Sequence, residues 1–195
     1  MKKLLPVLFL TASLFFISCN NSGTTETKSD STDSTRGDKP SDTSASKMSS
    51  TPPSQESIDF ATKAADGGIM EVELGQIAQQ NAKSQRVKDF GSMMVTDHSK
   101  ANDELKSLAA ANSVTLPATL SPGHKQHVDM MKKMTGTDFD KHYMDMMVND
   151  HKGDIGEFQK EANSQTNDAF KSFAAKTLPT LQKHLDSAQA IYGKQ

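Results

Sequence analysis

Glu71, His98, His151 and His184 are the residues whose types and spacing could hold a transition metal. Two of the histidines close a repeated hexapeptide, MMVTDH at 93–98 and MMVNDH at 146–151. Neutral imidazole suits zinc, copper or iron, and a carboxylate suits iron or manganese. Asp97 and Asp150 precede the repeat histidines by one residue, so on a helix they point about 100° away from them. They can flank a site as ligands, accept an imidazole N–H from behind, or face solvent, and solvent fits Asp150 best. A polar core cluster without metal explains the same four residues, because one histidine on an apolar face is ordinarily a hydrogen-bonded core residue. Met93-Met94, Met130-Met131 and Met146-Met147 offer thioethers suited to Cu(I), but methionine is more often a flexible core filler. His124 and His127 are three apart near a Pro-Gly turn and read as exposed residues without a role.

Helices must position these side chains. After Pro52-Pro53, Ser54-Gln55-Glu56-Ser57 supplies a cap and an early acid for a helix over 54–81. A second helix is expected over 84–112, and a short one from Ser121 to about Met134. Thr137 or Asp138 should cap a third long helix reaching Asn163, and a fourth should run from about Asn167 to Tyr192. Pro179 lies inside that last helix, which it should kink unless it is tolerated locally. No segment alternates with period two. The pattern predicts an all-α four-helix bundle with a short extra helix in the crossover between helices two and three.

Helical periodicity then decides where the candidates point. Val87, Phe90, Met94, Ala101, Leu105, Leu108 and Ala109 form one stripe with His98 in its middle. Tyr143, Met147, Phe158 and Ala162 share a face with His151. His184 lies near the edge of the stripe Phe170, Phe173, Ala174, Thr177, Leu181, Leu185 and Ala188. On the first helix Glu71 falls within Phe60, Ala64, Gly68, Leu74, Gly75 and Ala78, but Ala61, Ala65, Ile69 and Val72 compete to be the buried face. Axial register is the difficulty. At 1.5 Å per residue, Glu71 and His98 sit roughly 7 to 8 Å apart in height unless the helices slide or tilt, and so do His151 and His184.

Ahead of the bundle, Lys2 and Lys3 followed by an apolar run to Ile17 read as a signal peptide over 1–18, too short to span a bilayer. Cys19, the only cysteine of the 195 residues, follows at once. Ser18-Cys19 after Phe16-Ile17 resembles a bacterial lipoprotein signal, with Phe16 in place of the usual leucine, and implies a lipidated N-terminus at Cys19. In residues 20–53, 16 of 34 are Ser or Thr, so this stretch should remain a disordered tether reaching roughly 30–35 Å. The folded domain is expected over 54–195. Without residues 1–18 there are 20 basic and 24 acidic side chains, a net charge of −4. That balance, with no Trp and two Tyr, gives no basic stripe or stacking platform for nucleic acid. The expected partner is the membrane, through the acyl chains on Cys19. The expected location is the cell envelope, at the outer membrane or facing the periplasm.

Phe60-Ala61-Thr62-Lys63-Ala64-Ala65-Asp66-Gly67-Gly68, Glu71-Val72-Glu73-Leu74-Gly75, Met94-Val95-Thr96-Asp97-His98, Phe139-Asp140-Lys141-His142-Tyr143, Met147-Val148-Asn149-Asp150-His151 and Leu178-Pro179-Thr180-Leu181-Gln182-Lys183-His184 together carry a resemblance. The chain over 56–192 resembles the domain of unknown function 4142 family of exported bacterial proteins. That resemblance implies a ferritin-like bundle and carries over Glu71, His98, His151 and His184 as the site. Ferritin-like di-iron sites pair Glu-x-x-His on two helices; here Val95 and Leu181 stand at those positions, which speaks against oxygen-activating di-iron chemistry. The reading is a binding or envelope-maintenance protein rather than an enzyme, with a transition metal ion (Fe, Zn, Cu or Mn) as the candidate cofactor of an otherwise unassigned site. A metal-dependent oxidoreductase or hydrolase and a purely structural bundle are the alternatives.

Overall fold

Ser54 opens the first helix as its side chain accepts the Ser57 backbone N–H at 3.1 Å, with Glu56 in the first turn against the helix dipole. The computed structural model describes residues 52–166 and 168–194. The signal peptide, Cys19 and the tether up to residue 51 lie outside the described residues. Among the described residues the chain forms α1 (Gln55–Asn81), α2 (Gln85–Ala111), α3 (Pro122–Met131), α4 (Gly136–Ala162) and α5 (Asp168–Tyr192), with no strand. α1 packs along α2 and α4 along α5, and the two hairpins meet through α1 on α4 and α2 on α5. The short α3 lies in the crossover and rests mainly on α1. This is the expected ferritin-like four-helix bundle with one extra short helix.

Boundaries differ in two places. α3 stops at Met131 rather than near Met134. α4 begins at Gly136, with Thr135 rather than Thr137 or Asp138 at its N-cap, and Thr135 makes no side-chain capping bond. Gly136 has φ +67°, a conformation that costs a residue with a Cβ, so glycine sets the entry of α4. Pro179 does not interrupt α5.

Buried polar residues tie the bundle ends. Asp140 of α4 accepts the backbone N–H groups of Lys83 (3.0 Å) and Ser84 (2.9 Å), fastening the α1–α2 turn and the start of α2. At the other end Ser57 donates to Glu161 at 2.8 Å. The apolar core falls into two clusters. One includes Leu74, Phe90, Met94, Tyr143, Met147 and Leu185. The other includes Phe60, Leu105, Phe158, Phe173 and Leu181. On three long helices the candidate residue lies between the two: His98 between Met94 and Leu105, His151 between Met147 and Phe158, His184 between Leu181 and Leu185; Glu71 sits between Met70 and Leu74, at the edge of the first cluster. A polar layer therefore divides the core. Met94, Met131 and Met147 are wholly buried in the first cluster, where they serve as packing.

Candidate metal centre

Two glycines bring α1 and α2 together beside the polar layer. A Cβ on Gly75 would lie 2.7 Å from the Gly91 carbonyl oxygen, and one on Gly91 would lie 2.7 Å from the Gly75 oxygen. No side chain fits between the helices there. Glu71 is one turn before Gly75 and His98 two turns after Gly91, so this crossing fixes their separation. Glu71 Oε2 stands 2.9 Å from His98 Nδ1. The buried face of α1 combines both candidate stripes near its start (Phe60, Ala61, Ala65), and Glu71 is only 2% exposed.

The 7 to 8 Å mismatch in register does not appear, for a stereochemical reason. A helical side chain leans toward the N-terminus of its own helix. In each antiparallel hairpin the first residue leans away from the turn and the second leans toward it. Glu71 and His98 thus converge from different heights, and so do His151 and His184. His151 Nε2 lies 3.3 Å from His184 Nδ1. The three rings have centroids 5.3 to 5.7 Å apart, and one nitrogen from each lies within 4.8 Å of the others.

The outer partners assign the tautomers. His151 Nδ1–H donates to the Met147 carbonyl oxygen at 2.9 Å. His184 Nε2–H donates to Asp97 Oδ2 at 2.9 Å. His98 Nδ1 makes a 2.9 Å ion-pair contact with Glu71 Oε2. His151 Nε2 and His184 Nδ1 are then left with a lone pair, and so is His98 Nε2 when the proton sits on the nitrogen facing the carboxylate. His98 Nε2 is buried without a hydrogen-bond partner. The 3.3 Å approach of His151 to His184 sets two acceptors against each other. Moving a proton between them would instead turn a lone pair toward the Met147 carbonyl or the Asp97 carboxylate. A cation among the three nitrogens satisfies all of them at once. Metal-ligating histidines characteristically hold their other N–H on a carboxylate or carbonyl in this way.

Charge states agree with that pattern. Burial pushes His98 and His184 down to about 4, in His184 against the Asp97 hydrogen bond, and it lowers His151 as well. The imidazoles are therefore neutral, as ligation requires. Burial raises Glu71 to about 7 against the pull of His151. Its Oε1 is 3.4 Å from His151 Nδ1 and has no hydrogen-bond partner. Glu71 thus stands behind His98 and His151, on the side of their Nδ1 atoms. Asp97, one-third exposed, takes the supporting position that its offset from His98 allowed, but on His184.

The family model described as domain of unknown function (DUF4142) matches residues 42–191, more than half of the chain. The chain belongs to this family. The DUF4142 fold also matches a solved structure, the crystal structure of a DUF305 fragment from Deinococcus radiodurans. The TM-score is 0.65 and the identity 9%, over 74% of this chain and 99% of that one. A search of the curated proteins gave no match.

Three residues of this DUF4142 chain stand differently from the sequence reading. Asp150 is only partly exposed: its Oδ2 is buried without a hydrogen-bond partner, and it lines a groove between α1 and α4. His124 is paired, with Nδ1 3.0 Å from Asp66 Oδ2, whereas His127 is exposed as expected. Asp154 was not singled out, yet it borders the site, and burial with the nearby Glu71 raises it to about 8. Its spacing of three from His151 put it on the same helix face, and that signal was available. Tyr143, two turns before His151, has a buried hydroxyl without a hydrogen-bond partner.

Proposed function

We propose that the bundle binds one transition metal ion through His98 Nε2, His151 Nε2 and His184 Nδ1. Glu71, Asp97 and the Met147 carbonyl orient the rings from behind. The observation that carries this reading is the unpartnered, buried His98 Nε2 beside two facing imidazole acceptors. Three nitrogens without an acid among them favour zinc or copper over a carboxylate-rich iron site. Isothermal titration of the chelator-treated protein with zinc should give one site per chain, and His151→Ala should abolish it. Heat of binding unchanged in that variant would refute the assignment.

The same reading places the bundle in the cell envelope. The short apolar leader and Cys19 directly after it support a lipid anchor, with residues 20–53 as the tether. Among the described residues no helix is long and apolar enough to cross a membrane; the attachment proposed is by acyl chains on Cys19. Metabolic labelling with a palmitate analogue, lost in Cys19→Ala, tests the anchor. A second reading, a metal-free polar core, draws on the hydrogen bond between Asp97 and His184 and on the 3.3 Å approach of His184 to His151.

A further inference from the structure

A groove of about 530 Å³ opens between α1 and α4, with Asp66, Asp150 and Asp154 among its walls. Next to it lies a smaller, partly open cavity of about 30 Å³ bordered by His98 and His184. A water needs roughly 10–15 Å³ by this measure, so the cavity has room for an ion or one or two waters. Ala64, Gly67 and Glu71 of α1, with Asp154 and Phe158 of α4, line both spaces. The groove and the cavity thus share one wall.

The glycines show that this wall is thin for a reason other than packing. Gly68 leaves room for its neighbour, since a Cβ there would displace the end of the Asn102 side chain. Gly75 and Gly91 are required by the helix crossing. Gly67 is not: a Cβ at that position meets nothing within 4 Å. A glycine in the middle of a helix costs about 1 kcal/mol against alanine, and here no contact explains it. Gly153, on the α4 side of the groove, is equally free of neighbours. Within the groove Asp66 is already paired with His124, and Glu157 with Lys63 at 3.4 Å. Asp150 Oδ2 is buried there without a hydrogen-bond partner. A cleft lined by carboxylates concentrates cations and raises their association rate 10- to 10³-fold.

We propose that divalent cations reach the histidine cluster through this groove, passing between Gly67 and Asp154. The inference rests on the metal reading above and adds the route. Gly67→Leu fills open space and improves helix propensity, so the fold is kept while the passage is obstructed. Asp154→Asn keeps the shape and, measured at pH 9 where the Asp154 carboxyl is ionised, removes the charge. The probe is Co²⁺, followed by its visible absorption in stopped flow on the full chain, with dissociation measured after adding a chelator. Gly67→Leu should slow association and dissociation together by tenfold or more and leave Kd within threefold. Asp154→Asn should slow association severalfold and flatten its salt dependence. Unchanged rates in Gly67→Leu, or a change confined to dissociation, would overturn the route. Absence of a cobalt band in the wild-type protein would instead overturn the metal reading on which the route rests.

Discussion

His151→Leu should reverse its effect on stability with the presence of metal. His151 is fully buried and its Nε2 faces another acceptor at 3.3 Å. An unsatisfied buried polar group costs about 1–3 kcal/mol, and apolar replacement of such a cluster is often neutral or stabilising. Met147 O loses only a second donor. At about 2.1 cal/mol/K per residue, unfolding a domain of this size changes entropy by about 0.3 kcal/mol/K, so that gain corresponds to about 3–10 °C in Tm. Metal acts in the opposite direction: free zinc at 1,000 times Kd stabilises the wild type by about 4.1 kcal/mol, or about 14 °C, which exceeds that gain. The assay is a thermal melt by circular dichroism, in chelator and in zinc. The variant should melt above the wild type in chelator and show no zinc response. A variant that melts below the wild type in chelator, with zinc moving neither protein, would refute both the frustrated apo cluster and the site.

Gly91→Ala should destabilise the fold by about 1–2 kcal/mol, since its Cβ meets backbone at 2.7 Å and overpacking outweighs the gain in helix propensity. Gly68→Ala, which meets only the end of the Asn102 side chain, should stay within about 1 kcal/mol; urea denaturation of both checks the contrast. Asp140→Ala removes the acceptor of two backbone N–H groups and should cost about 2–3 kcal/mol by the same assay. For pH, a histidine lowered from 6.5 to about 4 is protonated first in the unfolded chain, so apo stability falls as pH drops from about 6.5 to 4. Glu71, raised to about 7, acts in the opposite sense: its stabilisation is full below 4.5 and is lost as pH rises through 7. His184→Gln should therefore lose less stability than the wild type between pH 6.5 and 4, by at most about 3 kcal/mol, in denaturation series with chelator present.

Helical periodicity made most of this architecture legible, because a buried stripe in a bundle is a property of one helix at a time. His98, His151 and His184 were each placed inward by neighbours on their own helix. Glu71 was less legible, since two stripes of α1 compete and only the neighbours of Phe60 and Ala65 settle how they share the core. The axial meeting of the four residues was not legible from residue counts, because counts place Cα atoms and ignore the lean of side chains toward each N-terminus. Asp150 and His124 were misplaced for a related reason. Their surroundings come from α1, and a helical wheel of α3 or α4 does not contain Asp66 or Glu71. The ends of α3 and α4 depend on the φ of Gly136, which no periodicity encodes.

Metal content decides whether the three imidazoles hold an ion. Tag-free protein, equilibrated with zinc, copper, iron and manganese in turn and then desalted, should retain about one zinc or copper ion per chain by elemental analysis. The triple variant His98→Gln, His151→Gln, His184→Gln should retain none. Wild-type protein that carries less than about a tenth of an equivalent of every metal, while folded, would contradict the account.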